Sequence, residues 1–206
     1  YGGSSGAGGG FQRGTAFGIT KGGAGRAVAG LSGNTGAQPS GPLVLARDGN
    51  FYGLTSREGP NGTGTVFRIS TSGKLNKLAA FNGFNGAYPT GGLIVGPGGN
   101  LYGVAYAGGG VGKFGTVFRV SLSGVITVLA KFDGETNGAY PESTLCLGPD
   151  GNLYGTAYNT IFRLVTANRD PVATNDSFEL PVIQKKVISN DSDADKDPLS
   201  IVSVTD

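Results

Sequence analysis

Short apolar runs alternate with glycine-rich polar turns over most of the chain, and each run has the length of a β-strand. The clearest set of four runs occupies residues 92–95, 101–106, 116–121 and 125–132. These runs are rich in β-branched and aromatic residues, which suit a pleated, half-buried surface. The intervening segments hold Gly, Asn, Asp, Ser and Pro, which are typical of turns. No window has a sustained helical spacing of apolar residues, so the pattern predicts an all-β fold.

The four-strand pattern recurs about every fifty residues. Three motifs keep the same phase: Asn-X-Tyr-Gly from Asn50, Asn100 and Asn152, Gly-Ala-X-Pro from Gly36, Gly86 and Gly138, and Gly-Thr-X-Phe from Gly14, Gly64 and Gly115. Such a period indicates one supersecondary unit copied along the chain, which cannot bury its apolar faces alone. We therefore predict tandem four-stranded antiparallel repeats that resemble propeller blades.

The motifs divide the chain into five segments. We predict a partial first repeat at 1–35, full repeats at 36–85 and 86–137, a truncated capping repeat at 138–167, and an acidic tail at 168–206. Closed propellers need about four to eight blades. The predicted segments contain fewer complete units than that, so we expect an incomplete array with exposed ends.

Two sets of residues recur in register, and a single cysteine stands inside one predicted strand. Cys146 is expected to be a small buried hydrophobe that packs in the core. The recurring aromatic residues form either a layer that packs one repeat on the next or a ladder on which glycans stack. They are Tyr52, Tyr102, Tyr154, Phe67, Phe118 and Phe162.

The charge distribution separates the repeats from the tail. Residues 1–167 hold 12 Lys and Arg against 6 Asp and Glu, a net +6, whereas 168–206 hold 4 against 8, a net −4. The basic residues are scattered and form no stripe, so nucleic-acid binding is not expected. No apolar stretch approaches about 18 residues, so no membrane span is predicted.

The residue types argue against catalysis. The chain has no His, which excludes Ser-His-Asp and Cys-His nucleophiles and a His-ligated zinc. Asp133 and Glu135 are the close acidic residues of the repeats, and both fall in a predicted turn. We expect a protein that is not an enzyme and that needs no organic cofactor.

The tail offers the one candidate metal site. Asp191, Asp193, Asp195 and Asp197 alternate along the chain, so an extended segment places four carboxylates on one side. Calcium takes six to eight oxygen ligands and suits such a cluster, although the spacing is not that of an EF-hand. The alternative is a solvated acidic turn that protects a strand edge from aggregation.

The series GAYP, GPGGNLYGVAYAGG and GTVFRVSLSG resembles the GloVer tandem repeat of bacterial secreted and surface-anchored proteins, over about residues 1–165. That resemblance implies an exported protein with propeller-like repeats, and it carries no established chemistry. From about residue 170 the chain resembles the opening of an Ig-like or cadherin-like adhesin module, with an extended β tail.

Two functions remain open from the sequence. One is an extracellular structural subunit that self-assembles into a filament or layer through exposed strand edges and the tail, in which residues from about 170 onward contact a neighbouring subunit. The other is a glycan-binding adhesin module that uses the recurring aromatic residues. For the first, the candidate assembly strand has its apolar residues at Phe178, Leu180, Val182, Ile183, Val187 and Ile188.

Overall fold

The structure is a computed structural model that describes residues 2–4, 13–19, 21–158, 160–165 and 201–204, the last of these as backbone alone. Within these residues the chain is all-β, as the sequence predicted, and the helical structure is a single 3₁₀ turn at Pro97–Gly99. Gly98 has φ +67° inside this turn, a conformation that glycine adopts at no steric cost.

The strands group into four blades of antiparallel strands. Blade 1 contains β1 (Gly2–Ser4), β2 (Thr15–Ile19) and β3 (Gly25–Gly30). Blade 2 contains β4 (Ala37–Leu45), β5 (Phe51–Arg57), β6 (Thr65–Ile69) and β7 (Leu75–Ala80). Blade 3 contains β8 (Ala87–Val95), β9 (Leu101–Ala107), β10 (Thr116–Val120) and β11 (Ile126–Lys131). Blade 4 contains β12 (Cys146–Leu147), β13 (Leu153–Ala157), β14 (Thr160–Leu164) and β15 (Ile201–Val204).

Blades 1 and 2 share one seven-stranded sheet, in which β1 pairs with β4 between Gly2 and Pro42. Blades 3 and 4 are separate four-stranded sheets. The first strands of blades 2, 3 and 4 are β4, β8 and β12, and β4 contacts β8. Blade 1 has no corresponding strand among the described residues. The array of propeller-like blades predicted from the sequence is confirmed.

The outer strand of blade 4 comes from the tail. β15 pairs antiparallel with β14, from Ile161 opposite Val204 to Leu164 opposite Ile201. The prediction that the tail from about residue 170 does not fold back on its own repeats is wrong for these four residues, while its contact with a neighbouring subunit stays a prediction. This pairing has no local turn signal in the sequence, because more than thirty residues separate the two strands.

A glycine–phenylalanine pair across two strands explains two of the recurring motifs. Gly53 lies directly opposite Phe67, and a Cβ atom at Gly53 would stand 2.4 Å from Phe67 Cζ and 2.5 Å from Leu43 Cδ2. The ring therefore occupies the volume that a side chain at the glycine would take. Equivalent pairs join Gly2 to Phe17, Gly103 to Phe118 and Gly155 to Phe162.

The hydrophobic cores lie between consecutive blades. Side chains alternate across each strand, so Val66 points into the core shared with blade 3, and Phe67 into the core shared with blade 1. Between blades 3 and 4 the core combines Val117 with Phe162, and the ring of Phe132 meets that of Phe162 edge to face at 5.1 Å. Blades 2 and 3 thus bury one face against the preceding blade and the other against the following blade.

A second recurring contact forms the seam, which we define as the junction of each Gly-Thr-X-Phe glycine with the Gly-Ala-X-Pro proline of the next blade. A Cβ atom at Gly64, whose φ is +97°, would stand 2.8 Å from Pro89 Cδ and 2.3 Å from the Thr55 carbonyl oxygen. No side chain fits there. The same contact recurs for Gly14 with Pro39 and for Gly115 with Pro141.

Backbone hydrogen bonds close the seam beside each proline. Tyr88 has φ 53°, a left-handed conformation that is uncommon outside glycine, and its N–H donates to the Thr63 carbonyl at 2.9 Å. Gln38 and Tyr140 also have left-handed φ angles, and their N–H groups donate to the carbonyls of Arg13 and Phe114 respectively. The strain recurs in three blades because each time the N–H crosses to the preceding blade.

We predict that Gly53→Ala lowers the melting temperature by several degrees. The new methyl group would overlap the Phe67 ring, and overpacking of this kind costs about 1–3 kcal/mol. Gly25→Ala is the matched control, since Gly25 lies in β3 with open space around its Cα. Thermal unfolding followed by circular dichroism measures both variants, and equal melting temperatures would contradict the packing role of the pair.

Candidate functional site

Two sets of predicted site residues lie outside the described residues. These are the acidic residues Asp191, Asp193, Asp195 and Asp197, and the candidate assembly strand over 178–188. Both assignments stay predictions. Among the residues that the structure describes, no three Cys, Asp or Glu side chains gather as a metal site would require.

Five of the six recurring aromatic residues are buried in the cores between the blades. Tyr52 is fully buried and Tyr102 is 5% exposed, while Tyr154 of blade 4 is half-buried. Phe67, Phe118 and Phe162 are also completely buried. A glycan needs an open ring face on which to stack, and these five buried side chains do not offer one.

The hydroxyl groups of the buried tyrosines donate hydrogen bonds at the hairpin turns. Tyr52 Oη donates to Asp48 Oδ2 at 2.7 Å, and the same carboxylate accepts from the backbone and side-chain N–H groups of Asn50. Burial raises the pKa of Asp48, but these hydrogen bonds outweigh it and leave the pKa below its usual value. Burial, reinforced by the bond to Asp48, raises the pKa of Tyr52 to about 12.

Asp133 is held in a turn, as the sequence indicated. Its Oδ1 accepts backbone N–H groups from Glu135, Thr136 and Asn137, and its Oδ2 accepts the Thr136 hydroxyl. These bonds, led by that of the Thr136 hydroxyl, hold the pKa of Asp133 well below its usual range. A carboxylate that is so firmly ionised is a poor general acid.

Blade 4 exposes the sheet face that blades 2 and 3 bury. Ile161 is 57% exposed, whereas Val66 and Val117, at the same position of the preceding blades, are completely buried. We call this surface the terminal face and define it by Cys146, Tyr154, Thr156 and Ile161, which alternation and cross-strand pairing place on one side of the sheet.

Cys146 corrects a prediction from the sequence. It is exposed, although we expected a small buried hydrophobe. Its counterparts Val44 and Ile94 are partly buried against the cores shared with the next blade. Cys146 occupies the same register on the terminal face, and its exposure follows from that position.

An aromatic cleft of about 340 Å³ borders the terminal face, and it is lined by Tyr106, Tyr140, Glu142, Thr156, Ala157 and Tyr158. The rings of Tyr106 and Tyr140 are stacked with centroids 4.9 Å apart, so the seam residue of blade 4 also forms a wall of the cleft. Tyr158 is 69% exposed and Glu142 is exposed. This group was not predicted from the sequence, because Tyr106 and Tyr158 belong to none of the repeated motifs.

A second cleft, of about 300 Å³, lies between blades 1 and 2. It is bordered among others by Gly18, Val28, Phe51 and Ile69. Gly18 stands where the later blades have arginine, at Arg68 for example, so blade 1 lacks the side chain that would fill this space. The cleft holds no cluster of ionisable groups that would suggest chemistry.

The Gly–Phe pairs, the seams and the shared cores define a repeat protein of stacked four-stranded blades. The chain belongs to the Gloeobacter/Verrucomicrobia repeat family, whose model matches residues 1–172. The resemblance found in the sequence is thereby confirmed for the repeats, while the Ig-like or cadherin-like tail stays a prediction.

Solved structures with similarity to this chain include a proposed gluconolactonase, at 19% identity and a TM-score of 0.42, covering 67% of this chain and 48% of that one. Another is a luciferin-regenerating enzyme, at 14% identity and a TM-score of 0.46, covering 68% and 47%. The chain thus spans about half the length of each. At these values neither match bears on its chemistry.

No curated protein sequence matches the chain. Among the described residues, no helix is long and apolar enough to cross a membrane.

We predict that folding stability falls between about pH 10 and pH 12, in part through Tyr52. The pKa of Tyr52 is raised in the folded protein, so its stabilising contribution is complete below pH 10 and is lost as the pH rises towards 12. Each pH unit in this window costs up to about 1.4 kcal/mol. Urea unfolding at several pH values measures how the free energy of unfolding changes with pH.

Two variants test this assignment. Tyr52→Phe removes the titrating group and should flatten the slope, and Asp48→Asn, which removes the carboxylate that helps to raise the pKa, should flatten it partly. If the unfolding free energy of Tyr52→Phe changes with pH as that of the wild type does, other groups cause the alkaline loss of stability.

Proposed function

We propose that the chain is a non-enzymatic structural subunit of the bacterial cell surface that self-associates into a filament or layer. The observation that carries the proposal is the terminal face, where Ile161 is exposed at a position that two other blades bury completely. Exposed apolar surface at a repeat end favours association with another blade.

The contacts between blades also support a structural role. The cores, the seams and the Gly–Phe pairs use the recurring residues for packing, and the buried Tyr52 and Tyr102 offer no ring face to a ligand. The chain has no His, and Asp133 is committed to a turn. Because Ile201–Val204 pair within their own blade, the proposal rests on the terminal face and not on the tail as connector.

Sedimentation velocity over a wide range of protein concentrations tests self-association. We expect the mean mass to rise with concentration, and negative-stain electron microscopy to show rings, filaments or sheets. A single species of monomer mass at every concentration would contradict the proposal. Protease treatment of intact source cells, with digestion of the chain before any cytoplasmic marker, tests the surface location.

Glycan binding at the aromatic cleft is a second candidate function. The specific observation is that Tyr106, Tyr140 and Tyr158 line one cleft together with Glu142, since aromatic faces with a few polar groups suit a sugar ring. This group differs from the recurring aromatic ladder considered from the sequence. Of the recurring residues, Tyr154 alone is partly exposed.

Calorimetric titration with bacterial cell-wall oligosaccharides tests the second candidate. We expect Tyr158→Ala to weaken binding about fivefold, because its exposed ring would supply a stacking surface worth about 1 kcal/mol. Phe84→Ala is the matched control, since Phe84 is 79% exposed and lies away from the cleft. Equal affinities in the two variants would exclude the cleft as the binding site.

A further inference from the structure

We propose that the terminal face of one copy packs against the first blade of a second copy, in the same arrangement that joins consecutive blades within the chain. This inference rests on the proposed self-association and names the two surfaces that meet. The partner is a second copy because the described residues contain both halves of one recurring interface, with Ile161 exposed on one half and Ile19 on the other.

The first half is the terminal face. In the internal interfaces, Val66 shares a core with Phe118 of the next blade, and Val117 shares a core with Phe162. Ile161 continues this series on blade 4 and is 57% exposed. Thr156 is exposed beside it, directly opposite Ile161 across the strand pair.

The second half is the first-blade face, which we define by Phe17, Ala27 and Ile19. Phe17 and Ile19 alternate along β2, and Ala27 lies opposite Phe17 on β3. Ile19 is 62% exposed, although it also borders the cleft between blades 1 and 2. Its counterparts in the later blades are buried to 1% exposure or less: Ile69, Val120 and Leu164.

The two faces are the complementary sides of one interface. Every internal core joins a Val66-type position to a Phe67-type position, and none joins two positions of the same type. A symmetric dimer through two terminal faces would therefore have no precedent in the fold. Head-to-tail contact gives a ring if the rotation closes and a filament if it does not.

Two charge variants test the pairing. Ile161→Asp places a charge on the terminal face and Ile19→Asp on the first-blade face, and both positions are exposed in the single copy, so each variant should fold. Because an unpaired charge would be buried at the contact, we expect each variant to weaken self-association by at least about 100-fold. Val125→Asp is the matched control, at a 62% exposed site on neither face.

Mixing the two variants gives the decisive measurement. Ile161→Asp keeps an intact first-blade face and Ile19→Asp keeps an intact terminal face, so an equimolar mixture should form 1:1 dimers and nothing larger. Sedimentation velocity of each variant and of the mixture reads this out. Thr156→Arg and Ala27→Arg, at exposed positions of the same faces, replace any variant whose circular dichroism shows loss of folding.

The outcomes separate this inference from the proposed function. A wild-type chain that stays monomeric overturns both. A wild-type chain that associates, with either variant associating equally well, leaves self-association standing and overturns this pairing of faces. Loss of association in both variants without recovery in the mixture also overturns it, because a head-to-tail contact must be restored by the two intact faces.

Discussion

The blades are small antiparallel sheets with apolar residues on both faces, and this constraint governs the rest of the molecule. A sheet of this size cannot bury either face by itself, so each blade depends on its neighbours. Val66 and Phe67 are adjacent in the chain, yet they belong to two different cores on opposite faces of the same blade. Stability is therefore shared between neighbours, and a change at one interface acts on two blades.

The seam fixes how closely the blades approach. Gly64 leaves no room for a side chain beside Pro89, and Tyr88 takes a left-handed backbone conformation so that its N–H can cross to the preceding blade. Both features set the separation through backbone and ring contacts, which tolerate little adjustment. Side chains in the cores can then vary in size between repeats, since Ala16 takes the position that valine has at Val66 and Val117.

The sequence predicted the strands and the repeat well because period and turn chemistry are local signals. The Asn-X-Tyr-Gly and Gly-Thr-X-Phe motifs were found, but their cause, a glycine opposite a phenylalanine, required the strand register. Cys146 was misjudged because its environment depends on whether a blade follows it. The aromatic cleft was missed since its residues lie far apart in sequence, and the pairing of Ile201–Val204 has no local signature at all.

The separation of β14 from β15 has a consequence for how the protein folds. Thirty-six residues, 165–200, lie between Leu164 and Ile201, whereas short turns join most other neighbouring strands. Closing so long a segment costs more chain entropy than closing a hairpin. This entropy is lost before any hydrogen bond between β14 and β15 forms. The first three blades can thus grow by successive hairpins, while blade 4 gains its outer strand late. During synthesis on the ribosome, β14 emerges well before its partner and presents an unpaired edge throughout that interval.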